Sequence, residues 1–216
     1  RERDLLKEIH YEGGYSLYIG IPFCPTTCLY CSFTSYPIGV YKDKVDAYLD
    51  TMEKEMEYIA ESYTEKKLAS IYIGGGTPSS ISAEQMDRLC SMIEKHFDLS
   101  QVREYTIEAG RPDSTTADKL QVMKAHGVDR ISINPQTMNG ETLKLIGREH
   151  TPEQAEEAFM RAREAGFDNI NMDLIAGLPG DTPEGFHDTL EKILALDPDS
   201  ITVHALTLKR AANLFA

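Results

Sequence analysis

The sequence contains no tryptophan, has only four cysteines, and has fewer basic than acidic side chains. Its 22 Lys and Arg residues against 35 Asp and Glu give a formal net charge of -13. This charge argues against a nucleic-acid partner, because phosphate binding needs a broad basic surface. No apolar run approaches the ~18 residues of a membrane span, and no signal-peptide pattern is visible at the start. We therefore expect a globular cytoplasmic protein without a membrane span.

The length of 216 residues is enough to bury a sizeable core without disulfide bonds. No linker, low-complexity tract or second-domain boundary interrupts the chain, so residues 1–216 are expected to form one core domain. The first residue is Arg1 rather than Met, and the last stretch, 209–216, stops without a helix-capping signal. We expect this domain to be part of a longer protein with further N-terminal and C-terminal segments.

The four cysteines are unevenly spaced. Cys24, Cys28 and Cys31 are close together, whereas Cys90 lies far away in a stretch of helical period. A disulfide framework would spread its cysteines along the chain, so this clustering favours metal ligation in a reducing compartment. Cys90 is predicted to be a buried core thiol, the usual place of a free cysteine.

Apolar, β-branched runs alternate about six times with longer stretches of helical period. The predicted strands are 17–21, 70–73, 105–109, 130–134, 169–174 and 201–206, and the predicted helices are 44–61, 83–97, 116–126, 152–165 and 183–196. This alternation predicts an α/β fold with a parallel sheet and functional loops at the strands' carboxyl ends. Six units are too few for a closed eight-stranded barrel. They suit either an open partial barrel or a doubly wound sheet.

The strongest motif is the CxxxCxxC run from Cys24 to Cys31, directly after the first predicted strand. Three thiolates on one loop can bind three irons of a [4Fe–4S] cluster and leave the fourth iron open to another ligand. The competing interpretation is a zinc site completed by Cys90 or a histidine. Zinc motifs usually come as paired knuckles, and no second CxxC or HxxxH is present. The motif therefore favours these three cysteines as ligands of an iron–sulfur cluster.

Other polar residues and glycines fall at predicted strand ends. The turn 74–78, Gly-Gly-Gly-Thr-Pro, lets a ligand approach the backbone closely, although it also fits a plain strand-to-helix turn. Taken alone, Glu108 fits a solvated acid at a strand end, and Arg148 fits part of a solvated helix face. Asp173 precedes a glycine-containing loop and could accept both hydroxyls of a ribose. The alternative there is a helix-entry loop capped by Asp181 or Thr182.

With Tyr30 before its third cysteine, the CxxxCxxC loop resembles the signature of the radical S-adenosylmethionine (radical SAM) superfamily. The stretch 18–24, Tyr-Ile-Gly-Ile-Pro-Phe-Cys, narrows the resemblance to the oxygen-independent coproporphyrinogen III dehydrogenase (oxidase) family and its heme-chaperone relatives. Gly20 and the Cys-Ser-Phe at 31–33 match best the branch found in anaerobic and spore-forming bacteria. The resemblance runs from about Tyr15 to the C-terminus and implies an open partial (β/α)6 barrel of radical SAM type with outer helices.

The same resemblance implies a [4Fe–4S] cluster and one or two molecules of S-adenosyl-L-methionine as cofactors. Gln136, Arg148 and Asp173 correspond to a second S-adenosylmethionine site that some family members occupy. No catalytic residue is expected beyond the cluster and S-adenosylmethionine. The residues that the resemblance implies for cofactor binding are Tyr18, Tyr30, Gly75, Gly76, Thr77, Glu108, Gln136, Arg148 and Asp173, with Cys24, Cys28 and Cys31 as metal ligands.

The function implied by the resemblance is oxidative decarboxylation of coproporphyrinogen III propionates to vinyl groups through a 5′-deoxyadenosyl radical, giving protoporphyrinogen IX. This expectation includes a porphyrinogen substrate and an electron donor that the sequence does not identify. Arg111, Arg148, Lys209 and Arg210 are candidate partners for the substrate carboxylates. The alternative is a heme-binding trafficking protein that retains both cofactor sites. A tRNA-modifying radical SAM enzyme is disfavoured by the acidic charge.

Overall fold

The computed structural model describes residues 13–207 and 212–214. Its main sheet has six parallel strands, and a short parallel pair lies beside it. The main strands are β1 (Gly14–Ile21), β4 (Lys67–Gly75), β5 (Glu104–Gly110), β6 (Arg130–Gln136), β7 (Ile170–Ala176) and β8 (Ser200–Ala205), and the short pair is β2 (Phe23–Cys24) and β3 (Tyr36–Pro37). All six predicted strands are confirmed. The short pair, which brackets the cysteine loop, was not predicted.

Helices connect the strands of the main sheet. They are α1 (Ile38–Tyr41), α2 (Val45–Ser62), α3 (Ala83–His96), α4 (Ala117–Ala125), α5 (Gly140–Leu145), α6 (Pro152–Glu164) and α7 (Pro183–Ala195). The five long helices confirm the predicted ones, whereas the short α1 and α5 were not predicted. In the part of the chain that the model describes, no helix has the length and apolar character needed to cross a membrane.

The strand order decides between the two architectures that the sequence left open. The order β1-β4-β5-β6-β7-β8 follows the chain without reversal. A doubly wound sheet reverses its direction at a switch point, which puts helices on both faces. Right-handed connections that never reverse instead keep the helices on one side of a curving sheet. Strands β1 and β8 are not paired with each other within the described residues, so the predicted open partial barrel is confirmed.

Helix boundaries follow local sequence signals. Ser82 and Gln85 form a reciprocal capping box at the start of α3, and Thr151 does the same with Gln154 before α6. Gly127 and Gly166 follow helices at φ values of 75° and 88°, a left-handed conformation that glycine adopts without a steric penalty. These features involve only residues close together in the chain, so local sequence is enough to specify them.

The strands alternate apolar and polar residues. The apolar residues, such as Ile71, Ile107 and Ile133, are fully buried in the main core together with the inward faces of the long helices. The intervening polar residues bond to one another across the other face of the sheet. Asn171, for example, donates to Ser132 and accepts from Ser200. Parallel strands covered on both faces are usually apolar throughout, so this alternation indicates a polar inner wall.

Cys90 lies on α3 and is completely buried in the main core. Burial is the main cause that raises the pKa of its thiol, to about 11. The predicted core position of Cys90 is therefore confirmed.

Candidate functional site

A cavity of about 550 Å³ opens at the carboxyl ends of the six main strands. Every residue expected from the sequence to bind a cofactor or to ligate metal lines this one cavity. They are Tyr18, Cys24, Cys28, Tyr30, Cys31, Gly75, Gly76, Thr77, Glu108, Gln136, Arg148 and Asp173. The fold thus brings together residues that are separated along the chain, because the carboxyl ends of parallel strands meet at the same edge of a sheet.

The cysteine loop runs from β2 toward β3 and is anchored where it meets β3 and at its middle. The Tyr36 amide donates to the Pro22 carbonyl over 2.8 Å, and the Leu29 amide donates to the Ile146 carbonyl over 3.0 Å. Cys24 is buried, Cys28 and Cys31 are half-buried, and all three thiols are free. Within the described residues, no three His, Cys, Asp or Glu side chains converge on a single metal position. The three thiols line the same cavity but do not converge on one metal position.

The glycine turn packs directly on the cysteine loop. The amide of Gly76 donates to the Ile21 carbonyl, and the amide of Thr77 donates to the Phe23 carbonyl, both over 2.7 Å. A Cβ atom on Gly76 would lie 2.7 Å from the Phe23 carbonyl oxygen and 2.9 Å from the Cys24 sulfur. These distances are too short for a side chain. Gly76 is therefore needed for the close approach of the two loops.

Two carboxylates line the cavity, Glu108 on β5 and Asp173 on β7. The Tyr72 hydroxyl donates to Glu108 Oε1 over 2.6 Å, and Asn171 donates to Asp173 Oδ1 over 2.7 Å. Burial raises the pKa of both carboxyls, although these two hydrogen bonds act in the opposite direction. Tyr72 was missed in the sequence, where it appears as one more aromatic residue of a strand. The signal available in the sequence was its position between the apolar Ile71 and Ile73, which predicts that its side chain lies on the opposite, polar face of the strand.

Arg148 is buried against the cysteine loop. Its Nη1 donates to the Asn134 carbonyl over 2.8 Å, and its Nη2 donates to the Tyr30 hydroxyl over 2.9 Å. Arg148 is 7% exposed, so the interpretation of a solvated helix face is wrong. Burial raises the pKa of Tyr30 to about 12.

The cavity wall also contains buried polar atoms without a protein partner. Gln136 Oε1 and Arg148 Nε have no hydrogen-bond partner among the residues that the structure describes. Gln136 has a φ of 70°, an uncommon conformation for a residue other than glycine that tends to occur at ligand sites. Unpartnered buried polar atoms are costly unless a ligand satisfies them. Together with three free thiols beside a glycine turn, they fit an iron–sulfur cluster with a polar organic ligand.

Two arginines, Arg111 and Arg148, line the described part of the cavity, and both already form hydrogen bonds within the protein. Arg111 forms a bidentate ion pair with Asp113, with N–O distances of 3.0 and 2.8 Å, and it also donates to the Thr26 hydroxyl. Arg148 is held by Asn134 and Tyr30. Within the described residues, Arg111 is thus neutralised by Asp113, and only the Nε of Arg148 is left without a hydrogen-bond partner. The other two candidates, Lys209 and Arg210, lie outside the described residues.

The loop after β7 leads into α7, as the helix-entry interpretation predicts. Thr182, rather than Asp181, caps α7 by accepting a hydrogen bond from the Gly185 amide over 3.0 Å. Asp173 lies earlier in the chain, on β7, and lines the cavity. The helix-entry role of the loop therefore does not involve the Asp173 carboxylate.

A partial barrel with three free thiols on the loop after its first strand defines the class of this protein. The family model for the Radical SAM superfamily matches residues 18–193, and the chain belongs to this superfamily. Its cofactors are accordingly a [4Fe–4S] cluster and S-adenosyl-L-methionine. Within the superfamily, the chain belongs with the proteins related to coproporphyrinogen III oxidase, as its sequence and structural relatives show.

The "Oxygen-independent coproporphyrinogen-III oxidase-like protein HemZ" of Bacillus subtilis is 48% identical over 92% of this chain and 40% of that protein. The "Heme chaperone HemW" of the same organism is 40% identical over 90% of this chain and 51% of that protein. The solved structure of the coproporphyrinogen III oxidase HemN from Escherichia coli superposes with a TM-score of 0.82 at 30% identity, covering 98% of this chain and 51% of that one. The chain spans about half the length of these relatives or less.

Proposed function

We propose that this chain is the catalytic core of an enzyme that oxidatively decarboxylates coproporphyrinogen III propionates to vinyl groups, giving protoporphyrinogen IX. The observation that carries the proposal is the single cavity in which three free thiols meet Glu108 and Asp173. It is supported by the similarity to the coproporphyrinogen oxidase-like protein of Bacillus subtilis. Free, half-buried thiols at Cys28 and Cys31 favour a reducing cytoplasm as the place of this activity.

Cys24, Cys28 and Cys31 are the proposed ligands of the [4Fe–4S] cluster. Three protein thiolates leave one iron without a protein ligand. When bound there, the reduced cluster and S-adenosylmethionine supply the 5′-deoxyadenosyl radical that removes a hydrogen atom from the substrate. The chain itself positions the thiols through the anchored loop and through the packing of Gly76 against Cys24.

Polar groups of the cavity wall would hold S-adenosylmethionine. Glu108 is oriented by Tyr72 through one oxygen, which leaves Oε2 to accept from a ligand amino group. Asp173 is oriented by Asn171 and can accept from ribose hydroxyls. Gln136 Oε1 can accept another ligand hydrogen bond, since it has no partner within the described part of the chain. The wall of the proposed site is completed by residues of the glycine turn and by three larger side chains. They are Gly75, Gly76, Thr77, Tyr18, Tyr30 and Arg148.

The test is anaerobic turnover of the full-length protein with a reconstituted cluster, reductant, S-adenosylmethionine and coproporphyrinogen III, read by mass spectrometry. We expect decarboxylated porphyrinogen together with a matching amount of 5′-deoxyadenosine. A matched control is the Cys28→Ala variant, which should form neither product. Formation of 5′-deoxyadenosine without decarboxylated product would contradict the proposed substrate.

A second candidate function is heme trafficking by a protein that keeps both cofactor sites. The observation favouring it is that both cavity-lining arginines already have internal partners. Arg111 pairs with Asp113, and Arg148 leaves only its Nε for substrate carboxylates within the described lining. Similarity to the heme chaperone of Bacillus subtilis also supports it. Stable, stoichiometric heme binding without decarboxylation in the same assay would favour this function over the enzyme.

A further inference from the structure

Cys24 is held differently from the other two cysteines of the loop. It lies on β2 and is buried, whereas Cys28 and Cys31 are half-buried on the loop itself. The Thr77 hydroxyl donates a hydrogen bond to the Cys24 sulfur, with an O–S distance of 3.6 Å. The three thiols therefore have different polar environments before any metal binds.

The orientation of Thr77 is determined by its packing. Thr77 is 4% exposed, and a Cβ atom on Gly110 would lie 2.9 Å from its methyl carbon. With the methyl group against Gly110, the hydroxyl is directed toward Cys24. The Thr77 amide donates a hydrogen bond to the carbonyl of Phe23, the residue before Cys24 in the chain. A β-branched side chain has few allowed rotamers, so this arrangement holds the hydroxyl against the sulfur.

We propose that the Thr77 hydroxyl tunes the reduction potential of the cluster by donating to the Cys24 sulfur. The inference rests on the proposed cluster ligands and adds a role for a residue expected only to contact S-adenosylmethionine. A donor to a ligand sulfur stabilises negative charge there. The reduced cluster carries one more electron than the oxidised one, so the hydrogen bond raises the potential. Thr77 acts through Cys24 and is a positioning residue.

The experiment measures the midpoint potential of the reconstituted cluster in the full-length protein without S-adenosylmethionine. Dithionite supplies one electron per cluster through mediator dyes, and electron paramagnetic resonance counts the reduced clusters. Thr77→Val removes the hydroxyl and keeps the branched shape, whereas Thr77→Ser keeps the hydroxyl. Thr189→Val is the matched control, because this buried threonine bonds Thr137 and Met138 and contacts no cysteine of the loop.

We expect the Thr77→Val potential to shift to a more negative value. The Thr189→Val protein should keep the wild-type potential. Thr77→Ser keeps the donor but loses the methyl group that orients it, so its potential should shift less than that of Thr77→Val. If Thr77→Val fails to bind iron, Thr77→Ala provides the same comparison without a bulky group and should also shift to more negative values. Since S-adenosylmethionine is omitted, a change in its affinity cannot produce the shift.

Two results would overturn the inference while the proposed function stands. One is a wild-type potential in a fully loaded Thr77→Val protein, and the other is an equal shift in Thr77→Val and Thr77→Ser. A wild-type protein that binds no cluster under reconstitution would instead overturn the proposed ligand site, and this inference with it. The two failures are thus told apart by the iron content of the wild type.

Discussion

The hydroxyl of Tyr72 donates a 2.6 Å hydrogen bond to Glu108 across the adjacent strands β4 and β5. Gly74 leaves room for this pair, because a Cβ atom there would lie 2.8 Å from Tyr72 Cε1 and 3.1 Å from the Glu108 carboxyl carbon. The bond leaves Glu108 Oε2 for a ligand. It also lowers the pKa of a carboxyl that burial raises.

The Tyr72→Phe variant should bind S-adenosylmethionine about five-fold more weakly, since one hydrogen bond contributes about 1 kcal/mol. Loss of the bond should also raise the pKa of Glu108 further. The ionised carboxylate is the form that accepts hydrogen bonds from an amino group. Binding should therefore increase with pH through the raised pKa, and in Tyr72→Phe this increase should occur at higher pH.

Calorimetric titration of the cluster-loaded protein over a pH series measures both effects. Tyr58→Phe is the matched control, because Tyr58 is exposed on α2, far from the cavity lining. Identical affinity and pH dependence in Tyr72→Phe and wild type would show that Tyr72 does not orient Glu108 for the ligand.

The cysteine ligands are tested by separate Ala substitutions at Cys24, Cys28, Cys31 and Cys90. Each change in the loop should remove cluster iron and abolish 5′-deoxyadenosine formation, because a thiolate ligand is lost. Cys90→Ala should keep its iron and lose about 1 kcal/mol of stability from the buried cavity. Iron and sulfide analysis with thermal melting distinguishes the two groups. Retention of S-adenosylmethionine cleavage in any loop variant would refute that ligand.

Asp173→Ala should weaken S-adenosylmethionine binding by about ten-fold to a hundred-fold, since a hydrogen bond to a charged group contributes about 1.5–3 kcal/mol. Asp188→Ala serves as the control, because Asp188 pairs with Lys192 on the exposed surface of α7. Calorimetry on the cluster-loaded proteins gives the affinities. Equal affinity for Asp173→Ala and wild type at every site would count against a ligand role for Asp173.

Gly76→Ala should displace the cysteine loop, because the new methyl group would overlap the Phe23 carbonyl oxygen and the Cys24 sulfur. Overpacking of this kind costs about 1–3 kcal/mol. The expected results are a lower melting temperature and a lower iron content after reconstitution. Gly39→Ala is the control, since its Cβ would meet no atom within 4 Å. An iron content equal to that of wild type would argue against the need for close approach.

Much of the fold could be predicted from the sequence because the signals are local. The alternation of strands and helices, the caps at Ser82 and Thr151, and the spacing of the three cysteines each involve residues close together in the chain. The polar half of each strand was also visible in the sequence. These polar residues predict a polar inner wall only when the curvature of the sheet is known, because the curvature decides which face of the sheet is the inner one.

The partners of the site residues could not be predicted in this way. Arg148 and Tyr30 are 118 residues apart, and Thr77 and Cys24 are 53 residues apart. Contacts over such separations depend on strand register and on how closely two loops pack. Neither leaves a periodic signal in the chain.

The sequence by itself determined the element order, the thiol cluster and the set of polar residues at the strand ends, because propensity, capping and ligand spacing act between near neighbours. Only the tertiary structure decided that the sheet winds in one direction, that Arg111 and Arg148 are bonded internally, and that Tyr72 and Thr77 hold Glu108 and Cys24. The physical reason is that these contacts form between segments brought together by burial of the apolar faces of the strands.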